Sequence, residues 1–92
     1  MSEVRRTCTI VNQRGLHARA SAKFVNAVSE LPEGCSVRVA KDGNEAAGGS
    51  ILGLMMLGAA KGDTIVIHCS GDGAEVALQR LVDLVEDKFG ED

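Results

Sequence analysis

The sequence predicts an α+β fold, one β-sheet covered on a single face by helices. Three observations point there. The hydrophobic period switches between strand-like alternation and helical spacing, in the order β-α-β-β-α-β-α. Glycines, the single Pro32 and an Asp42-Gly43 pair fall at the switches. The 92 residues allow one core, and so one domain over 1–92. Elements alternating in this way bury their apolar sides against one another, and the two β-α-β units imply right-handed crossovers.

Val4 to Val11 alternates with period two. Val4, Cys8 and Ile10 face one way, with Arg6 an exception, and Arg5, Thr7 and Thr9 face the other, which reads as a half-buried strand. Asn12-Gln13-Arg14-Gly15 follows as a loop. From Ala18 to Leu31 the polar residues Arg19, Lys23, Asn26 and Glu30 form one stripe. Ala18, Ala22, Val25, Phe24, Val28 and Leu31 form a broad apolar side, an amphipathic helix stopped by Pro32 and Gly34. Cys35, Val37 and Val39 alternate with Ser36 and Arg38 in a second strand. The Asp42-Gly43 turn then folds a weak third strand back through Asn44 to Ala47. Ser50 to Leu57 is apolar on nearly every side and too short to stand alone as a helix. Thr64 to Cys69 is a β-branched strand with Ile65, Ile67 and Cys69 inward and Val66 and His68 outward. A last helix runs from about Gly73 to Lys88, with Ala74, Leu78, Leu81 and Val85 on its core side and Asp72 placed to cap it.

Chemistry concentrates where the first loop becomes the first helix, at Gly15-Leu16-His17-Ala18-Arg19. The first N–H groups of a helix lack internal partners and carry the positive end of its dipole, which suits an anion such as phosphate. A neutral imidazole there has a lone pair and can act as a nucleophile. Arg19 adds a fixed planar charge able to neutralise a phosphoryl group on the ring. The plainer reading, a loop histidine near a surface arginine, stays open on spacing alone. His68 sits mid-strand on the outer face and reads as a solvated or helix-covered histidine rather than a ligand; no carboxylate close in sequence to His17 builds a triad. The glycines at 48, 49, 53 and 58 match neither a P-loop nor a dinucleotide fingerprint.

Ser50 opens the short helical segment, either as an N-cap or as a phosphorylation site. After it, Ile51, Leu52, Leu54, Met55, Met56 and Leu57 cannot all be buried by two turns. Some must be exposed, and an apolar patch with flexible Met marks a partner site.

Composition narrows the function classes. A net charge of −3 with 2% aromatics argues against nucleic-acid binding, which wants a basic face and stacking rings. The longest apolar run, Ile51 to Ala60, is broken by Gly53 and Gly58 and is far short of the roughly 20 residues of a membrane span. Met-Ser-Glu-Val-Arg-Arg has no apolar signal core, so a cytoplasmic location is expected. Cys8, Cys35 and Cys69 are odd in number and far apart, which predicts buried reduced thiols and no metal site.

Gly15-Leu16-His17-Ala18-Arg19 resembles the phosphorylatable-histidine motif of the HPr family, the histidine-containing phosphocarriers of the bacterial phosphotransferase system. Ser50-Ile51-Leu52-Gly53-Leu54-Met55-Met56-Leu57-Gly58 resembles that family's regulatory-serine motif, and both occur in family order within a likeness running from about Val4 to Phe89. The resemblance implies an open-faced β-sandwich, a four-stranded antiparallel sheet covered on one face by three helices. It implies that His17 takes a phosphoryl group on Nδ1 from phospho-enzyme I, charged by phosphoenolpyruvate, and passes it to an enzyme IIA-type acceptor. Arg19 would assist the phosphoryl group, and Ile51, Leu52 and Met55 would meet partners. Ser50 would be the target of an ATP-dependent HPr kinase/phosphorylase in lineages that have one. The chain would then be a monomeric carrier and not an enzyme, with no cofactor.

Two positions depart from the family pattern. Ala20 stands where proline is usual, so the first turn relies less on a pre-set φ. Gly49 stands where a lysine or other polar residue often precedes the serine. A regulatory binding module of the same fold, acting mainly through Ser50 and the apolar patch, is the alternative. The intact run around His17 argues against it, and an unrelated ligand-binding domain would need a polar cluster that the sequence does not offer.

Overall fold

A computed structural model describes residues 3–91. Its elements are β1 (Glu3–Thr9), α1 (Ala18–Ser29), β2 (Cys35–Lys41), β3 (Asn44–Ala47), α2 (Ile51–Met56), β4 (Thr64–Gly71) and α3 (Ala74–Glu86), followed by a 3-10 turn, Lys88–Gly90. The four strands form one antiparallel sheet in the order β1-β4-β2-β3. β1 and β2 both run against β4, which lies between them. Each helical crossover therefore joins two parallel strands that are not neighbours.

The local reasons are legible. Asp42 and Gly43 both take positive φ, 52° and 85°, the two-residue turn that matches the strands' twist and pairs Lys41 with Asn44. Alternation along β4 buries Ile65, Ile67 and Cys69, and the last helix buries Ala74, Leu78, Leu81 and Val85 as expected. The helices cover one face, with α3 packed on β1 and β4 and α1 packed on α2 and α3. Phe24, Leu54, Val39, Leu81 and Phe89 meet in the core between them. On the open face Arg38 joins Glu3 and Glu45, and His68 Nδ1 lies 3.6 Å from Glu3.

Three local expectations are corrected. The buried row of α1 is Ala20, Ser21, Phe24 and Ala27, while Ala18 is exposed and Val25, Val28 and Leu31 only flank the core. Small residues at 20 and 27 let the helix lie close, and the Ser21 hydroxyl is satisfied by donating to Leu16 O at 3.2 Å. Asp72 does not cap α3: the N-cap is Gly73 at φ 71°, with no side-chain cap. The Asp72 carboxylate lies instead over Gly34, whose carbonyl accepts the Asp72 N–H. Cys8 and Cys69 are buried as expected, but Cys35 is only half-buried. Burial, with Cys35 nearby, pushes the Cys69 thiol up to about 11, and burial also raises Cys8, so both stay protonated and inert.

Candidate functional site

The site is built from three chain segments, beginning with the loop before α1. Gly15 adopts φ 63°, and its Cα lies so close to Ala59 that a Cβ there would fall 2.3 Å from the Ala59 carbonyl. The next residue fastens the loop, with the Leu16 N–H donating to Ala59 O at 2.9 Å. The strand-to-helix loop is thus pinned against the segment that follows α2, and His17 is delivered to the N-cap of α1.

His17 takes extended backbone angles, and its Nδ1 accepts the Arg19 N–H at 3.3 Å. The ring therefore fills the capping place that a serine or aspartate usually holds. Its other nitrogen, Nε2, lies 2.7 Å from Glu91 Oε2. The second Glu91 oxygen accepts from Asn12 Nδ2 at 3.0 Å, and that same amide group donates to Gly15 O at 2.9 Å. Asn12 is fully buried, and its Oδ1 has no partner among the described residues. Partial burial works against the Glu91 charge, but the hydrogen bonds from Asn12 and His17, with the fields of His17 and Lys23, outweigh it. The carboxyl is held below its ordinary value and is ionised at neutral pH.

Glu91 arrives through an unusual turn. Lys88, Phe89 and Gly90 all take positive φ, and Phe89 is wholly buried, which swings the chain back over the α1 N-terminus. Lys23 fastens the turn by donating to Phe89 O at 2.7 Å. Beside the ring, Gln13, Arg14, Arg19, Lys23, Gly90 and Glu91 line a depression of about 340 Å³. Three of those side chains, Arg14, Arg19 and Lys23, are cationic in a chain whose net charge is −3, and Glu91 adds one carboxylate among them. The Arg19 side chain is exposed and has no ion pair among the described residues.

Ser50 is the N-cap of α2, its Oγ accepting the Gly53 N–H at 2.9 Å. Of that helix only Leu54 is buried; Ile51, Leu52, Met55 and Met56 are exposed, Leu52 by 67% and Met56 by 77%. The expected patch of Ile51, Leu52 and Met55 is therefore solvent-facing, and Met56 extends it. α2 packs on α1, and the Leu16–Ala59 bond ties the loop that delivers His17 to the segment that follows α2. The sequence singles out His17, Arg19, Ser50 and the patch of Ile51, Leu52 and Met55; it names Met56 only as one of the apolar residues of that segment, and it does not single out Asn12 or Glu91. The available signal for Glu91 was Phe89, a bulky apolar residue beyond the last helix that had to be buried somewhere. Among the described residues no group of His, Cys, Asp or Glu is placed to hold a metal, and no helix is long and apolar enough to cross a membrane.

The chain is similar in sequence and fold to known proteins. A family model described as the PTS HPr component phosphorylation site matches residues 4–87. The phosphocarrier protein HPr of Pseudomonas aeruginosa is 43% identical over 90% of this chain and 91% of its own. The phosphocarrier protein NPr of Shewanella violacea is 36% identical over 99% of this chain and 98% of its own. Among solved structures, HPr-C-His from Thermoanaerobacter tengcongensis has a TM-score of 0.88 at 41% identity, covering 100% of this chain and 99% of that one.

Proposed function

The chain belongs to the HPr family of phosphocarriers, and from that premise we propose that His17 is the residue that carries the phosphoryl group. The group arrives from phospho-enzyme I and leaves to an enzyme IIA-type acceptor. The observation that carries this reading is the ring's placement as the N-cap of α1, with Nδ1 turned to the Arg19 N–H. A phosphoryl group on Nδ1 enters the field of the free N–H groups of the first turn, where an anion is stabilised. The Arg19 guanidinium, with no ion pair among the described residues, is placed to close on its oxygens. Donor and acceptor dock in turn on the exposed rows of α2, with the cationic rim of Arg14, Arg19 and Lys23 drawing acidic surfaces toward it. Ser50 is a second, regulatory phosphorylation site for an HPr kinase/phosphorylase, supported by its position at the head of that docking helix. The whole of 1–92 acts as one carrier domain, as a monomer.

The decisive experiment is intact mass after incubation with phosphoenolpyruvate and enzyme I. One acid-labile phosphate is expected, absent from His17→Ala and retained by His68→Ala. Retention by His17→Ala with loss from His68→Ala would assign the carrier role to the other ring.

A further inference from the structure

Resting on that reading, we infer that Glu91 is a positioning residue for His17: its carboxylate keeps the proton on Nε2 and so leaves the lone pair on Nδ1. An ionised carboxylate only accepts, so at 2.7 Å from Glu91 Oε2 the Nε2 atom must donate. The backbone N–H of Arg19 only donates, so Nδ1 must accept. Both contacts select the same neutral tautomer, the one whose nucleophilic nitrogen faces the helix N-terminus.

The carboxylate is itself fixed. Asn12, with no solvent exposure, holds its second oxygen at 3.0 Å and ties it to the Gly15 carbonyl of the loop that delivers the ring. The backbone contributes as well, since the Glu91 N–H donates to Lys88 O at 2.9 Å. Three successive residues in the left-handed region, two of them not glycine, are needed to bring Glu91 there. Such backbone persists only where surrounding contacts hold it, and buried Phe89 with the Lys23–Phe89 bond supplies them.

Transfer then balances without moving a proton. The Nδ1 lone pair forms the N–P bond, and the bond from phosphorus to the donor atom breaks with its electron pair leaving on the donor. Nε2–H stays in place, so the ring becomes a phosphorylated imidazolium whose new positive charge faces the Glu91 carboxylate. The Arg19 N–H, released from Nδ1, is free for a phosphoryl oxygen. On delivery the N–P electrons return to Nδ1, and the same neutral tautomer is restored.

The test compares wild type, Glu91→Gln and Glu91→Ala by nitrogen-15 spectra of the His17 ring at a pH where it is neutral, and by enzyme I turnover with each chain as acceptor. In Glu91→Ala the Nδ1 signal should move from its unprotonated position toward an average of the two tautomers. The kcat should fall about 3- to 10-fold with KM unchanged, and Glu91→Gln should lie between because its amide oxygen still accepts one neutral bond. Unchanged ring nitrogens in Glu91→Ala, or a kcat in both variants equal to or above wild type, overturns the inference. A wild-type chain that takes no phosphoryl group defeats the carrier reading instead, and the ring spectra still decide the role of Glu91.

Discussion

Ser50 serves its own helix before it serves any partner, because its Oγ accepts the Gly53 N–H and caps α2. That gives a clean way to separate charge from capping. Ser50→Ala loses the cap at a cost of about 1 kcal/mol, whereas Ser50→Asp keeps a capping oxygen and adds a negative charge beside the apolar patch. Ser50→Asp should therefore melt higher than Ser50→Ala yet accept phosphate from enzyme I more slowly. Equal acceptance rates would remove the case for a regulatory serine. Ser50 and His17 were both legible in the sequence because their signals are local: a residue type, a glycine before it and an apolar period after it. Glu91 was not, since its bonds to His17 and Asn12 span 74 and 79 residues. No short window contains both ends of such a contact. Asn12 failed for a different reason: a loop asparagine reads as turn chemistry, and its burial is decided by what folds over it.

The two faces of α2 assign opposite consequences to similar side chains. Leu54 is fully buried beneath the helix, and Leu54→Ala should cost about 2–5 kcal/mol of stability. Leu52→Ala and Met55→Ala should change stability by less than about 0.5 kcal/mol, yet weaken binding to enzyme I by roughly 5- to 30-fold. Thermal melts paired with titration calorimetry check both halves; normal binding by the Leu52 and Met55 variants would move the docking surface elsewhere. The sequence could state that two turns cannot bury six large side chains, but not which row would be covered. The same ambiguity misassigned α1. Its bulkiest apolar residues apart from Phe24 lie at the flank, and the row against the core is small, because the spacing between helix and sheet is a tertiary quantity. The Asp72 cap failed similarly: the rule fits the residue, but the Asp72 N–H is tied to the Gly34 carbonyl and Gly73 takes the N-cap position. Strand order in the sheet, by contrast, follows only from pairing across the whole chain.

Both described ends of the molecule are held by carboxylates of lowered pKa. The Arg38 hydrogen bond, opposed by partial desolvation, depresses Glu3 below its ordinary 4.5, and the Asn12 and His17 bonds depress Glu91 against its own desolvation. A folded-state pKa below the unfolded one contributes stability that is present above the unfolded value and lost as pH falls through the folded one. Melting temperature should thus drop as pH falls from about 5 toward 3, and the Glu3→Gln, Glu91→Gln double variant should drop less steeply. If the double variant declines as steeply as wild type over that range, acid sensitivity originates in other groups. The strand order carries a further consequence, for the time at which the molecule can exist at all. β1 pairs only with β4, Glu3 opposite Ser70 and Thr9 opposite Thr64, so the first strand made has no partner until nearly the last is synthesised. During translation the β2–β3 hairpin can close by itself, while Glu3–Thr9 trails as a lone strand edge. Arg5 and Arg6 within it are the charges that discourage pairing with another nascent chain. The loop that presents His17 is fixed only when Ala59 arrives, and the ring meets Glu91 only at the end of the described chain. A ribosome-bound fragment thus holds the histidine long before it holds the site.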